Sequence, residues 1–130
     1  LSAKYKAQKN LHFYGHVDQK QTKQFLKSFD TVVLPNMQKV ITGDGEDIGK
    51  YTSPLKLFEY LSLNKTIVSS DIASIKEVIS NDDAIFFKAG DIDDFIKKIV
   101  GAKGRSFLNG KTLIKNIFSW RQRAKKILNN

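Results

Sequence analysis

"SPLKLFEYLSLNKTIVSSD", residues 53–71, runs from a helix start into a buried strand, and that order decides the fold class. Ser53 followed by Pro54 reads as an N-cap with proline at the first helical position, where its missing N–H costs nothing. Asn64 ends the helix in the left-handed conformation, and "KTIVSSD" (65–71) is a strand buried in a sheet. Two residues resist this packing account. Lys56 sits in the first turn, where the macrodipole is positive and carboxylates are preferred. Glu59, one turn further in, interrupts an otherwise apolar stretch and reads as a buried carboxylate.

Working outward, "TVVLP" (31–35) is a β-branched run stopped by proline, the pattern of a strand buried on both faces. "NLHFYG" (10–15) reads as a shorter strand closed by Gly15. Asp18 then caps "QKQTKQFLKSF" (19–29), whose Phe25, Leu26 and Phe29 share a face. Downstream, a helix over 73–80 turns Ile75, Val78 and Ile79 inward, "AIFFKAG" (84–90) is a strand, and Asp91 caps "IDDFIKKIV" (92–100). "KTLIKNIFSWRQRAKKIL" (111–128) is helical and breaks at Ser119, which with Gln122 fits a capping box. Leu113, Ile117, Trp120, Ala124 and Ile127 form its apolar stripe, opposite a lysine- and arginine-rich face. Strands alternating with helices imply an α/β, Rossmann-like three-layer domain: a parallel sheet of about four strands, helices on both faces and a C-terminal helix. Residues 1–130 form one domain, with 105–130 as a basic helical segment. Four strands make a thin sheet, so the domain is expected to be incomplete, with further strands before Leu1.

The 130 residues suffice for a core. No apolar run reaches membrane-span length and no signal-peptide pattern opens the chain. The absence of cysteine excludes disulfides and thiolate metal sites and points to the cytoplasm. The net charge of +9 is concentrated at one end: from Phe95 to Asn130 there are ten Lys or Arg and no acid. Such a tail fits an anionic membrane surface, a nucleic acid, or a plain solvated helix face. The aromatic residues fall mostly at core periodicities, which argues against nucleic-acid stacking platforms.

The Ser53 helix start follows a strand and a loop, so it lies at the carboxyl end of the sheet, where open α/β folds bind ligands. The free N–H groups of Leu55 and Lys56 make an anion site there. A bound phosphate or diphosphate offsets the dipole's repulsion of Lys56, roughly 0.3–1 kcal/mol. Lys followed by Glu is the poorer order for a helical ion pair, whereas a carboxylate suits the hydroxyls of a ribose diol. The alternative is a snorkelling Lys56 and a Glu59 whose tip reaches water. The preceding loop, 36–52, has the length of a lid or binding loop. Its "GDGEDIGK" (43–50) fails as a phosphate-binding loop, with Asp44 in place of the first Gly and Tyr51 in place of Ser/Thr. Asp44, Glu46 and Asp47 lack the EF-hand pattern, so no metal is expected. No nucleophilic constellation is present. Gly15 allows a flat base to approach the backbone closely, with His16 beside it at the ligand edge.

"LHFYGHV", "FDTVVLPN", "SPLKLFEYLSLNKTIVSSD", "FFKAGDIDDFIKKIV" and a late "FSW", in that order, resemble the C-terminal, nucleotide-sugar-binding domain of GT-B glycosyltransferases, in particular the retaining enzymes of glycosyltransferase family 4. The resemblance implies that the amides of Leu55 and Lys56, with Ser53 alongside, bind the diphosphate of a nucleoside diphosphate sugar. It places the ribose on Glu59, the base against Gly15, His16 and Val17, and the sugar near Gly49 to Thr52, including Tyr51. It implies a glycan or lipid-linked acceptor, no metal cofactor, and an acceptor domain outside this chain, without which the chain is inactive. One departure stands out. Many members carry two acidic residues with seven between them, and the earlier of the two is here Tyr51. No catalytic residue is assigned. The rival readings are another sugar-nucleotide enzyme such as an epimerase, which lacks its paired carboxylates here, and a nucleic-acid or membrane-binding module built on the basic tail.

Overall fold

Three runs rich in β-branched and aromatic residues supply the sheet. They are β1 (Thr31–Leu34), β2 (Thr66–Ser70) and β3 (Ile85–Phe87), parallel and in spatial order β1-β2-β3. Val33 lies opposite Val68, and Val68 opposite Ile85. The computed structural model describes residues 9–47 and 55–115. Within them the helices are α1 (Gln19–Lys27), α2 (Leu55–Ser62), α3 (Ala73–Lys76), α4 (Ile92–Gly101) and α5 (Gly110–Leu113).

The helix ends follow the local chemistry. Asp18 accepts the Lys20 N–H at 2.8 Å and Asp91 accepts the Asp94 N–H at 3.0 Å, each meeting one orphan donor of a first turn. Asn64 adopts φ 50 after α2, and its Oδ1 accepts the Lys111 N–H at 3.0 Å, tying the start of α5 to the end of α2.

The core has two unequal layers. On one face Val32, Leu34 and Ile67 meet Leu57 and Leu61 of α2 and Ile75 of α3. On the other, Val68 and Phe87 meet Ala102 and Phe95, the Phe87 and Phe95 rings lying 4.8 Å apart. The buried hydroxyls are satisfied: Thr66 donates to the Arg105 carbonyl at 2.6 Å and Ser70 to the Leu34 carbonyl at 3.2 Å. At the amino edge of the sheet the Lys65 ammonium donates to the carbonyls of Lys27 and Phe29 at 2.7 and 2.6 Å. One cation thus joins the α1–β1 turn to the start of β2.

Four sequence expectations need correcting or bounding. The described residues hold three strands rather than about four, because 10–15 forms no ladder. Extended backbone becomes a strand only where its N–H and C=O groups find partners, and in doubly wound sheets a strand's neighbour can be remote in the chain. Instead, Tyr14 turns its ring edge-on to Phe25, 4.7 Å away. β1 is buried on one face only, with Val33 37% exposed, since α4 packs on β3 and leaves β1 open on that side. The helix expected over 73–80 ends at Lys76 and continues as turns, which still bury Ile75 and Ile79 and leave Val78 half-buried. Ser53, Pro54, the Ser119–Gln122 capping box and the apolar stripe beyond Leu113 lie outside the described residues.

Candidate functional site

The chain enters α1 through Gly15, at φ +69, and His16. His16 and Val17 therefore sit where α1 begins, toward the carboxyl edge of the sheet. A groove of about 600 Å³ opens between α1 and α2 below them. Thr22, Lys23 and Leu26 line it from α1. Glu59 and Ser62 of α2, with Leu63 just beyond, line it from the other side. The groove thus brings together three of the sequence-predicted site residues, His16, Val17 and Glu59, from segments far apart in the chain.

Glu59 is exposed, which corrects the expectation of a buried carboxylate. The reason is rotational. Leu57 and Leu61 turn into the core, and Glu59 lies about 200° around the helix from Leu57. The Glu59 carboxylate makes no hydrogen bond or ion pair among the described residues. Its charge is still felt next door. Burial raises the pKa of the half-buried Tyr60 phenol, and the Glu59 carboxylate pushes it further the same way.

Leu55 and Lys56 open α2 as exposed residues, Leu55 at 72%, and neither lines the groove. Tyr51, Thr52 and Ser53 lie outside the described residues, as do Gly49 and Lys50. The sequence reading passed over Thr22, Lys23, Leu26, Ser62 and Leu63. A signal for the last two was present, since Ser62 and Leu63 stand three and four positions after Glu59 and share its helix face.

The acidic loop residues are engaged locally. Asp44 accepts a hydrogen bond from the Thr42 hydroxyl, which lowers its pKa. Asp47 accepts the Val40 N–H at 3.1 Å. Among the described residues no group of three His, Asp or Glu is placed to hold a metal ion. A second cleft, of about 660 Å³, lies at the amino edge beside Thr31, Lys65 and Thr66. It is at the wrong end of a parallel sheet for the usual ligand, and its Lys65 is already held by two carbonyls.

The family model for group 1 glycosyl transferases matches residues 1–102, a span that contains the α1–α2 groove and all three strands. The chain belongs to that family. Among curated proteins no relative matches it. As a group 1 glycosyltransferase it has a sugar donor and an acceptor to accommodate, and its parallel α/β layer is Rossmann-like and GT-B-like in kind. Among the described residues of this glycosyltransferase, no helix is long and apolar enough to cross a membrane.

Proposed function

We propose that this chain is the donor-binding part of a retaining glycosyltransferase, which moves a sugar from a nucleoside diphosphate sugar to a glycan or lipid-linked acceptor. The observation that carries the proposal is the convergence of Glu59 with His16 and Val17 on one groove that reaches the carboxyl edge of a parallel sheet. An exposed carboxylate with no partner among the described residues is suited to a diol, whose two hydroxyls need acceptors. The Gly15–Val17 turn lies against the base. The diphosphate is held at the start of α2 by the amides of Leu55 and Lys56 and by the Lys56 ammonium, with Ser53 alongside. The sugar is assigned to Tyr51 and Thr52. Catalysis then comes from positioning the donor and stabilising the leaving diphosphate, with no metal needed. No side chain of this chain is assigned a catalytic role.

Activity requires an acceptor domain besides residues 1–130, and these residues alone are inactive. The basic 105–130 segment brings the enzyme to an anionic membrane from the cytoplasmic side, where a lipid-linked acceptor is presented. Binding to nucleic acid through the same segment is the rival use.

Titration with UDP, GDP and ADP, read by amide NMR shifts, tests the reading. One nucleotide should shift Gly15–Val17 and Leu55–Glu59, and Glu59→Gln should weaken it by about tenfold or more, the worth of a charge-assisted hydrogen bond. Binding that is indifferent to Glu59→Gln refutes the ribose assignment.

A further inference from the structure

Lys23 lines the α1–α2 groove with an exposed side chain that enters no hydrogen bond or ion pair among the described residues. The hydroxyls around it are differently placed. Thr22 spends its hydrogen on the Asp18 carbonyl at 3.0 Å, and Ser62 spends its own on the Glu59 carbonyl at 2.7 Å. Both can therefore offer a ligand only lone pairs, as Glu59 does. Lys23 is the opposite, a donor with no acceptor capacity. His16 can give or take a hydrogen bond, so it does not discriminate. Val17, Leu26 and Leu63 add apolar lining to the same groove, a surface suited to the faces of a flat ring. The complementary ligand has hydroxyl donors for the carboxylate and a ring carrying an acceptor edge for the ammonium.

Resting on the reading that the groove takes the donor's nucleoside, we infer that Lys23 reads the base and selects one with a keto edge. Guanine offers O6 and N7 as paired acceptors, and uracil offers O4. Adenine and cytosine set an amino group at the corresponding position, where it meets an ammonium that cannot accept. Lys23 is thus a specificity-determining residue, acting on which nucleoside diphosphate sugar is taken rather than on the transfer step.

The test is calorimetric titration of the full chain with two matched pairs, GDP against ADP and UDP against CDP. It is run on the unaltered protein, Lys23→Met, Lys23→Arg and Glu59→Gln, with folding checked by circular dichroism. The exposed position of Lys23 leaves the fold intact. The unaltered protein should favour the keto member of a pair by roughly tenfold or more. Lys23→Met should bring the pair within about threefold, Lys23→Arg should restore the preference, and Glu59→Gln should weaken all bound nucleotides alike. If Lys23→Met keeps the original ratio, or the amino member is favoured, while Glu59→Gln still weakens binding, the role of Lys23 is overturned and the nucleotide site stands. Equal loss of every nucleotide in Lys23→Met marks a general affinity contact and also overturns it. If none of the four binds the unaltered protein, both readings fall.

Discussion

Gly110→Ala should unseat α5. Gly110 opens that helix against the backbone of Leu61 in α2. A Cβ added there would stand 2.4 Å from the Leu61 carbonyl oxygen and 3.0 Å from both its carbonyl carbon and Cα. That oxygen is already accepting the Asn64 N–H at 3.0 Å. Both sides of the clash are backbone, so no side chain can swing away, and α5 has to lift from α2. Overpacking of this kind costs about 1–3 kcal/mol. The Lys111–Asn64 hydrogen bond, 3.0 Å long, spans the same junction and adds about 0.5–1.5 kcal/mol if it breaks. The better helix propensity of alanine returns at most about 1 kcal/mol. The net loss is about 0.5–4.5 kcal/mol, or a melting temperature lowered by roughly 2–18 °C at about 4 °C per kcal/mol. Urea and thermal unfolding followed by far-ultraviolet circular dichroism measure it. Gly101→Ala is the internal control. It ends α4 with open space where its Cβ would go, so it should be neutral or stabilising by about 0.5–1 kcal/mol. Gly110→Ala with an unchanged midpoint, or Gly101→Ala with an equal loss, would refute the steric argument.

Asp91→Ala should cost about 0.5–2 kcal/mol by leaving the Asp94 N–H without its cap, with hydrogen exchange accelerated first in the opening turn of α4. The Asp44 carboxyl should titrate below an ordinary aspartate in a pH series of NMR spectra, and Thr42→Val should raise its midpoint. Because the folded pKa is the depressed one, the associated stabilisation is present above the ordinary aspartate range and is lost as pH falls through the lowered value. Glu59→Gln should lower the Tyr60 midpoint without returning it to normal, since burial, the larger cause, remains. A Tyr60 midpoint unmoved by the change would show that the Glu59 charge does not reach the phenol.

What the sequence discloses about this fold is what local chemistry decides. The caps at Asp18 and Asp91 and the left-handed Asn64 need only neighbours a few residues away, and each forms as read. β2 is legible because an uninterrupted run of small and β-branched residues suits a central strand covered on both sides, and all five of its residues are buried. β1 carries the same signal, yet Val33 is left open, because which helix covers which strand is a tertiary fact. The segment 10–15 fails for a related reason, as strand propensity cannot supply a ladder partner. At the candidate site, Glu59 lines the groove but is exposed, where the sequence implies burial. Its angular distance from Leu57 and Leu61 contained the answer, whereas the apolar neighbours on either side did not. Lys23 could not be found from spacing at all, because it meets Glu59's groove only through the packing of two helices.

The Lys65 clamp has a mechanical consequence. It acts as a rivet at the amino end, holding the turn that leaves α1 to the residue that precedes β2. Two bars riveted at one end have a fulcrum there, and their separation grows with distance along the lever arm. Any breathing between α1 and α2 would therefore be smallest at Ser62 and Leu63 and largest at His16 and Val17, splaying the groove as a wedge from the carboxyl edge of the sheet.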